Sequence, residues 1–219
     1  MEKWDKEKAE KNKNRLEGAE FKGIDLAGAN LRDANLLSAN LISADLSGAD
    51  LSGAKLSSAR AMRTNFSQAN LSGASFLKAN CTRANLQGTN LNDTDLMGAN
   101  LADAVLIQAD LIRAKLIEAN LLGADLTGAD LSEASLTGRY QREGYFSRGA
   151  NLSKGKLVCA KLRNADVSGA ELVETDCTEA DFTGANILNA NFEGSNLNNA
   201  TWADGKKCGL NSIGKCVTK

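Results

Sequence analysis

Every fifth residue from Phe21 to Leu136 is leucine, phenylalanine or a smaller apolar or thiol-bearing residue, in one unbroken register. Alanine stands two positions before it almost every time, usually with asparagine or aspartate between, as in Ala29-Asn30-Leu31, Ala34-Asn35-Leu36 and Ala39-Asn40-Leu41. The pattern resumes one register later at Ala150-Asn151-Leu152 and runs to Ala200-Thr201-Trp202. A helix repeats its apolar positions about every 3.6 residues and a strand about every 2. A period of five fits neither as a continuous element. It fits a solenoid in which each unit makes one short side and then turns. Residues two apart in an extended segment point the same way. The leucine therefore fills the axis, the alanine fits the crowded margin beside it, and the asparagine or aspartate between them faces out. The last two residues of each unit, such as Ser-Gly, Leu-Gly or Arg-Asp, have the chemistry of a corner.

The 219 residues would suit one or two ordinary domains, but a continuous period implies one elongated unit. Apolar residues make up 42% of the chain and aromatics only 5%, so the core is narrow. There is no proline, which leaves every position with a backbone donor. A formal net charge of -1 argues against nonspecific nucleic-acid binding. No stretch approaches the length of a membrane span. Met1 to Arg15 is charged throughout and does not read as a secretory leader; a leader already removed stays open.

The recurring A-(N/D)-L-x-x unit resembles that of the pentapeptide repeat proteins, over residues 19–138 and 150–203. The resemblance implies an all-β chain, folded as a right-handed quadrilateral β-helix with four units per coil. That is on the order of nine coils and a rod about 40 Å long, at about 4.8 Å between stacked strands. Residues twenty apart then share a face. Asparagines in register form ladders along the axis. Ala61 and Cys81 are small centre residues one coil apart, and Phe66 and Phe76 come from opposing faces to take up the volume Ala61 leaves.

The domain plan is a cap over 1–18, the β-helix over 19–203 interrupted by a loop at 139–149, and a second cap over 204–219. Residues 1–18 are polar and helix-prone, with Trp4, Ala9 and Leu16 as contacts to the first coil; a frayed tail is the alternative. The segment from Trp202 through Cys208 and Ser212-Ile213-Gly214 to Cys216 resembles the closing segment of cyanobacterial and thylakoid-lumen members of the family. That resemblance implies a Cys208–Cys216 disulfide, and hence a thylakoid lumen or periplasm. Two free thiols in a cytoplasmic protein are the alternative. Cys81 and Cys177 fall at inward centres; Cys159 falls at a corner, offset from Cys177, so no bridge joins them.

Three surface features are candidates for recognition. The 139–149 insertion holds both tyrosines of the chain; Tyr140, Arg142, Tyr145 and Phe146 are residue types that serve as interface anchors. Positions following the centre on two adjacent faces are apolar: Leu37, Leu77, Met97 and Ile117 on one, Ile42, Met62 and Leu122 on the next. They form either an interface or a cover over neighbouring side chains. Lys55, Arg60, Arg63, Lys78 and Arg83 are expected to cluster along one edge, while the two more polar faces are acidic.

The chain contains no histidine, which removes the commonest general base and the histidine-based nucleophile and metal sites. It has no phosphate loop and no dinucleotide turn. Stacked pairs such as Asp25 with Asp45 and Asp110 with Asp130 occupy the ordinary outward position on a convex surface. No catalytic, cofactor or metal site is expected. The reading is a noncatalytic scaffold for an unknown protein partner, a monomer or weak dimer without direct nucleic-acid binding. The family resemblance also implies a DNA-mimic that binds DNA gyrase as an alternative, and an inert spacer is a third reading.

Overall fold

The computed structural model describes residues 4–138 and 148–218. Its organising element is a set of parallel bridges between residues twenty apart, from Glu20↔Asn40 and Asp25↔Asp45 to Asp181↔Thr201. Four bridges precede each return to the same column, so each coil has four sides. Following the chain, the first face starts at Phe21, the second at Leu26, the third at Leu31 and the fourth at Leu36.

The same bonds recur in every unit. Leu91 donates its N–H to Asp110 O at 2.7 Å, and Asp93, two residues on, donates to Ile112 O at 3.0 Å. Asn90 donates in the other direction, to Ala69 O at 3.0 Å. Thr94 closes the corner by donating to Leu91 O at 3.2 Å. The second corner residue lies in the left-handed region throughout, at Gly48 with φ 63° and Gly73 with φ 65°. Glycine takes that conformation without penalty, whereas other residues lose roughly 1–2 kcal/mol. Arg63, Lys78 and Glu118 adopt it nonetheless, at φ 55°, 55° and 57°. At Arg63 and Lys78 the N–H is tied into the next coil, which keeps each residue there.

The bore is a single stack of buried side chains from Leu16 to Cys208. Leucines fill the centres and alanines the margins, almost all of them fully buried. Hydroxyl residues also enter the alanine column. Thr64, Thr89, Thr94 and Thr175 are buried, and each donates to the centre carbonyl of the preceding coil, as Thr89 does to Phe66 O at 2.8 Å. Beside the small centres Ala61 and Cys81, Phe66 and Phe76 meet edge to face with centroids 5.8 Å apart.

Helix α1 spans Lys6–Lys11, started by Asp5, whose side chain accepts from the Lys8 N–H. It lies against the first coil. Ala9 and Leu16 are fully buried, and the Trp4 ring is 5.5 Å from that of Phe21. Two exposed backbone donors of the coil find partners here: Asn30 N–H on Glu10 Oε1 at 2.7 Å and Asn35 N–H on Lys13 O at 2.8 Å.

The 139–149 insertion is spliced out at one corner. Bridges change from twenty apart at Asn100↔Asn120 to thirty-one apart at Asn120↔Asn151, then return to twenty at Asn151↔Glu171. Ala150 takes the corner bond to Leu136 O at 2.7 Å. The return passes so close to its neighbours that a Cβ on Gly149 would lie 2.7 Å from Leu136 O and 2.8 Å from Ala170 N. The coils therefore stay in register across the break. Truncating a central leucine, Leu96→Ala, removes a side chain that is 1% exposed and leaves a cavity in the leucine stack. The expected loss is about 2–5 kcal/mol in denaturant unfolding, with the rod intact by circular dichroism.

Candidate binding surface

The outward asparagines and aspartates are bonded along the axis. Asn85 Nδ2 donates to Asn65 Oδ1 at 3.2 Å, and Asn65 Nδ2 to Asp45 Oδ1 at 3.0 Å. The same oxygens accept the N–H two residues on, as Asn85 does from Gln87 at 3.1 Å. Each amide thus supports both the corner and the stack.

The stacked acids follow the same logic. Asp25 and Asp45 bridge adjacent coils, as do Asp110 and Asp130, but basic residues and hydroxyls answer many of the acids on the second and third faces. Arg113 holds Asp93 at 2.7 Å, Lys156 holds Asp125 at 3.2 Å, Lys161 holds Asp130 at 3.0 Å and Arg163 holds Asp181 at 2.6 Å. Arg113 pulls the Asp93 carboxyl below its ordinary value. Partial burial opposes ionisation at Asp125, yet Thr127 and Lys156 carry its value down; at Asp130, Ser132 and Lys161 do the same. At Asp45 the Ser47 N–H lowers it directly. No group of three metal-ligating side chains occurs among the described residues.

The apolar columns flank the outward asparagine column of the first face. Leu37, Ile42, Met62, Leu77, Met97 and Ile117 are half-buried, while Leu122 is 39% exposed. The last described residues before the insertion continue this column. Glu118 donates to Thr137 O at 3.2 Å, which places Thr137 one coil past Ile117. Tyr140, Arg142, Tyr145 and Phe146 lie outside the described residues. The returning Arg148 approaches Glu171 at 3.9 Å.

The basic residues differ from the expected single edge. Lys78 sits on the corner entering the first face, and Arg63 and Arg83 on the corner leaving it; Arg60 lies between them and Lys55 lies on the fourth face. Five residues make one side, so positions five apart occupy successive corners. Arg83 also pairs with Asp103 at 3.3 Å, which reduces the patch.

The thiols separate by environment. Cys208 and Cys216 form a disulfide with Cα atoms 5.0 Å apart. Burial pushes the Cys81 thiol up to about 12 and raises that of Cys177 further. Cys159 is exposed and unbridged, and partial burial together with Glu179 raises its value as well, so nothing activates it. A polar hollow of about 330 Å³ at the first coil is lined by Glu10, Lys13, Arg15 and Arg32.

The pentapeptide repeats family profile matches eight copies, over residues 19–57, 64–103, 104–138 and 160–199. The chain belongs to this family. Its fold is accordingly the right-handed quadrilateral β-helix of pentapeptide repeat proteins. Among solved structures it is similar to HetL, a pentapeptide repeat protein involved in heterocyst differentiation regulation from the cyanobacterium Nostoc sp. strain PCC 7120. That match has 29% identity, covers 90% of this chain and 94% of that one, and has a TM-score of 0.36. A pentapeptide repeat protein from the Arabidopsis thaliana thylakoid lumen is 28% identical over 53% of this chain and 66% of its own, with a TM-score of 0.35. QnrB1, a plasmid-mediated fluoroquinolone resistance protein, is 17% identical over 82% of this chain and 85% of its own, with a TM-score of 0.38. No curated protein matches the chain. No helix among the described residues of this pentapeptide repeat protein is long and apolar enough to cross a membrane.

The lowered carboxyls set its acid response. Asp45, Asp93, Asp125 and Asp130 are held below the unfolded value of about 3.9. Their stabilisation is complete above that value and is lost as pH falls through the lower folded values. The melting temperature is expected to stay level down to about pH 5 and to drop below about pH 4. A rise on acidification in that range contradicts the assignment.

Proposed function

We propose that this pentapeptide repeat protein is a noncatalytic scaffold that binds a protein partner along its first and fourth faces. The carrying observation is convergence. The apolar columns of Leu77, Met97 and Ile117 and of Met62 and Leu122 flank the first face, and the 139–149 insertion leaves the rod at the corner between the two faces. Side chains half-covered along such a column make flat, pre-ordered contact area, which lowers the entropy lost on binding. Tyr140, Arg142, Tyr145 and Phe146 are the proposed anchors, because aromatic and arginine side chains dominate binding energy. Lys55, Arg60, Arg63 and Lys78 give the same side a basic rim. In this reading residues 1–18 and 204–219 close the ends of the 19–203 solenoid. The convex surface and the lack of histidine support the absence of catalysis.

Charge pairing works against the alternative of a DNA-mimic that binds DNA gyrase. A mimic needs a continuous acidic surface, and here Asp93, Asp125 and Asp130 are paired with Arg113, Lys156 and Lys161. The Cys208–Cys216 bridge supports residence in an oxidising compartment such as a thylakoid lumen or periplasm.

Affinity capture from the native organism tests the scaffold reading. Leu77→Asp with Met97→Asp, and separately deletion of 140–146, are expected to lose the captured partner while keeping the melting temperature within a few degrees. Retention of the same partner by both variants contradicts the proposed surface. In parallel, DNA gyrase supercoiling is expected to be unaffected by micromolar protein; inhibition supports the mimic. Nonreducing mass spectrometry of native material is expected to find three alkylatable thiols of the five, Cys81, Cys159 and Cys177. Five alkylatable thiols remove the compartment assignment.

A further inference from the structure

The Cys-bearing segment covers only two of the four faces at its end of the rod. On the second face Leu197 donates to Ser212 O and Gly214 to Ser195 O, both at 2.8 Å. On the third face Trp202 donates to Lys206 O and Cys208 to Ala200 O, again at 2.8 Å. Each is a two-bond exchange around one antiparallel pair, Asn196↔Ile213 and Thr201↔Lys207. Beyond Gly214 the segment turns back, with Gly209 donating to Val217 O at 2.7 Å and Cys216 tied to Cys208.

The fourth and first faces of the same coil present the same groups. Ala185 O and Ile187 N–H flank Asn186, and Ala190 O and Phe192 N–H flank Asn191; among the described residues none of the four has a hydrogen-bond partner. One coil earlier the equivalents are all paired. Asn186 donates to Ala165 O and Val167 to Asn186 O, each at 2.9 Å; Asn191 donates to Ala170 O at 2.9 Å and Leu172 to Asn191 O at 2.7 Å. Burial changes in step. Val167 and Ala170 are fully buried, whereas Ile187 and Ala190 are only partly so and Leu188 is 66% exposed. The bore itself is closed here, because the Trp202 ring packs 5.0 Å from Phe192 and 5.7 Å from Phe182. What remains open is a backbone rim with an apolar side chain beside it.

We infer that this rim docks an extended segment of a partner protein, which pairs antiparallel with Asn186 and Asn191 as the chain's own segment pairs with Asn196 and Thr201. Strand addition to an open edge is a general mode of peptide recognition. A second copy of the chain seated on the rim is distinguished by the exchange measurement below, because it would slow Ile187 and Phe192 with rising protein concentration in the absence of peptide. Side-chain chemistry narrows the occupant. Exposed Glu193 has no basic partner among the described residues, whereas Glu171 beneath Asn191 is already met by Arg148 at 3.9 Å and accepts the Asn191 Nδ2 at 2.9 Å. The occupant therefore carries lysine or arginine opposite Asn191 and an apolar residue over Leu188. The site stands independently of the flanking apolar columns.

The probe is a synthetic peptide of residues 206–214 with Cys208→Ser. It carries Lys206, Lys207 and Ile213 at the spacing that already bridges two faces. Amide hydrogen exchange is read by NMR on the full chain. In the free protein Ile187 and Phe192 are expected to exchange at least about a hundredfold faster than Leu197 and Trp202. Millimolar peptide is expected to slow Ile187 and Phe192 about tenfold or more and leave Leu197 unchanged. Leu188→Asp and Glu193→Lys, both at exposed positions, are expected to abolish the slowing without altering the free-state pattern. Exchange at Ile187 and Phe192 as slow as at Leu197 in the free protein overturns the inference. So does the absence of any change with peptide.

Discussion

One backbone bond sets the rest of this molecule: outside the coil that carries the insertion and the last turn, the N–H of the centre residue reaches the carbonyl nineteen positions ahead, as Leu91 reaches Asp110 and Leu106 reaches Asp125. Satisfying it along the chain requires a coil of constant length, because any gain or loss of one residue between corners would leave buried donors without acceptors. That requirement explains where the chain tolerates change. Extra residues enter only as a complete excursion from one corner, and Gly149 lets the returning strand press against Leu136 and Ala170. It also explains why charged residues such as Arg63 and Lys78 occupy left-handed corners. The bond made by their own N–H offsets the local strain.

Stacking then turns each column into a separate line of chemistry. Inward columns are apolar and self-sealing, with threonine admitted only where its hydroxyl finds a centre carbonyl. Outward amides bond to one another, and several acids on the second and third faces are met by arginine and lysine one coil away. The proposed recognition surface lies on the first and fourth faces, in the apolar columns, at the corner next to the insertion, and at the unpaired rim above them. A rod of this kind offers rigid, repeating contact lines and little concavity, which suits assembly more than chemistry.

The five-residue period carried the solenoid and the inward and outward positions of each unit, whereas four sides to a coil and its hand came from the resemblance to pentapeptide repeat proteins. The opposed Phe66 and Phe76 rings were equally legible, because their register follows from counting. Charge was harder. Sequence spacing put Lys78 and Arg83 near each other, but a side of five residues carries them to successive corners, and only coordinates show Arg83 turned to Asp103. The cross-coil pairs Lys156–Asp125 and Lys161–Asp130 span the insertion, so their proximity depends on how that insertion is spliced. The open rim was not legible at all. The sequence of 204–218 signals an end, but not that the segment follows two faces and then folds back on its disulfide.

The pairing itself is open to direct observation by scalar couplings across hydrogen bonds in deuterated, isotope-labelled protein. The Leu91 nitrogen should couple to the Asp110 carbonyl carbon and the Leu96 nitrogen to that of Lys115. Couplings from these nitrogens to carbonyls four residues earlier, or to none, would show a different backbone and remove the basis for every surface described above.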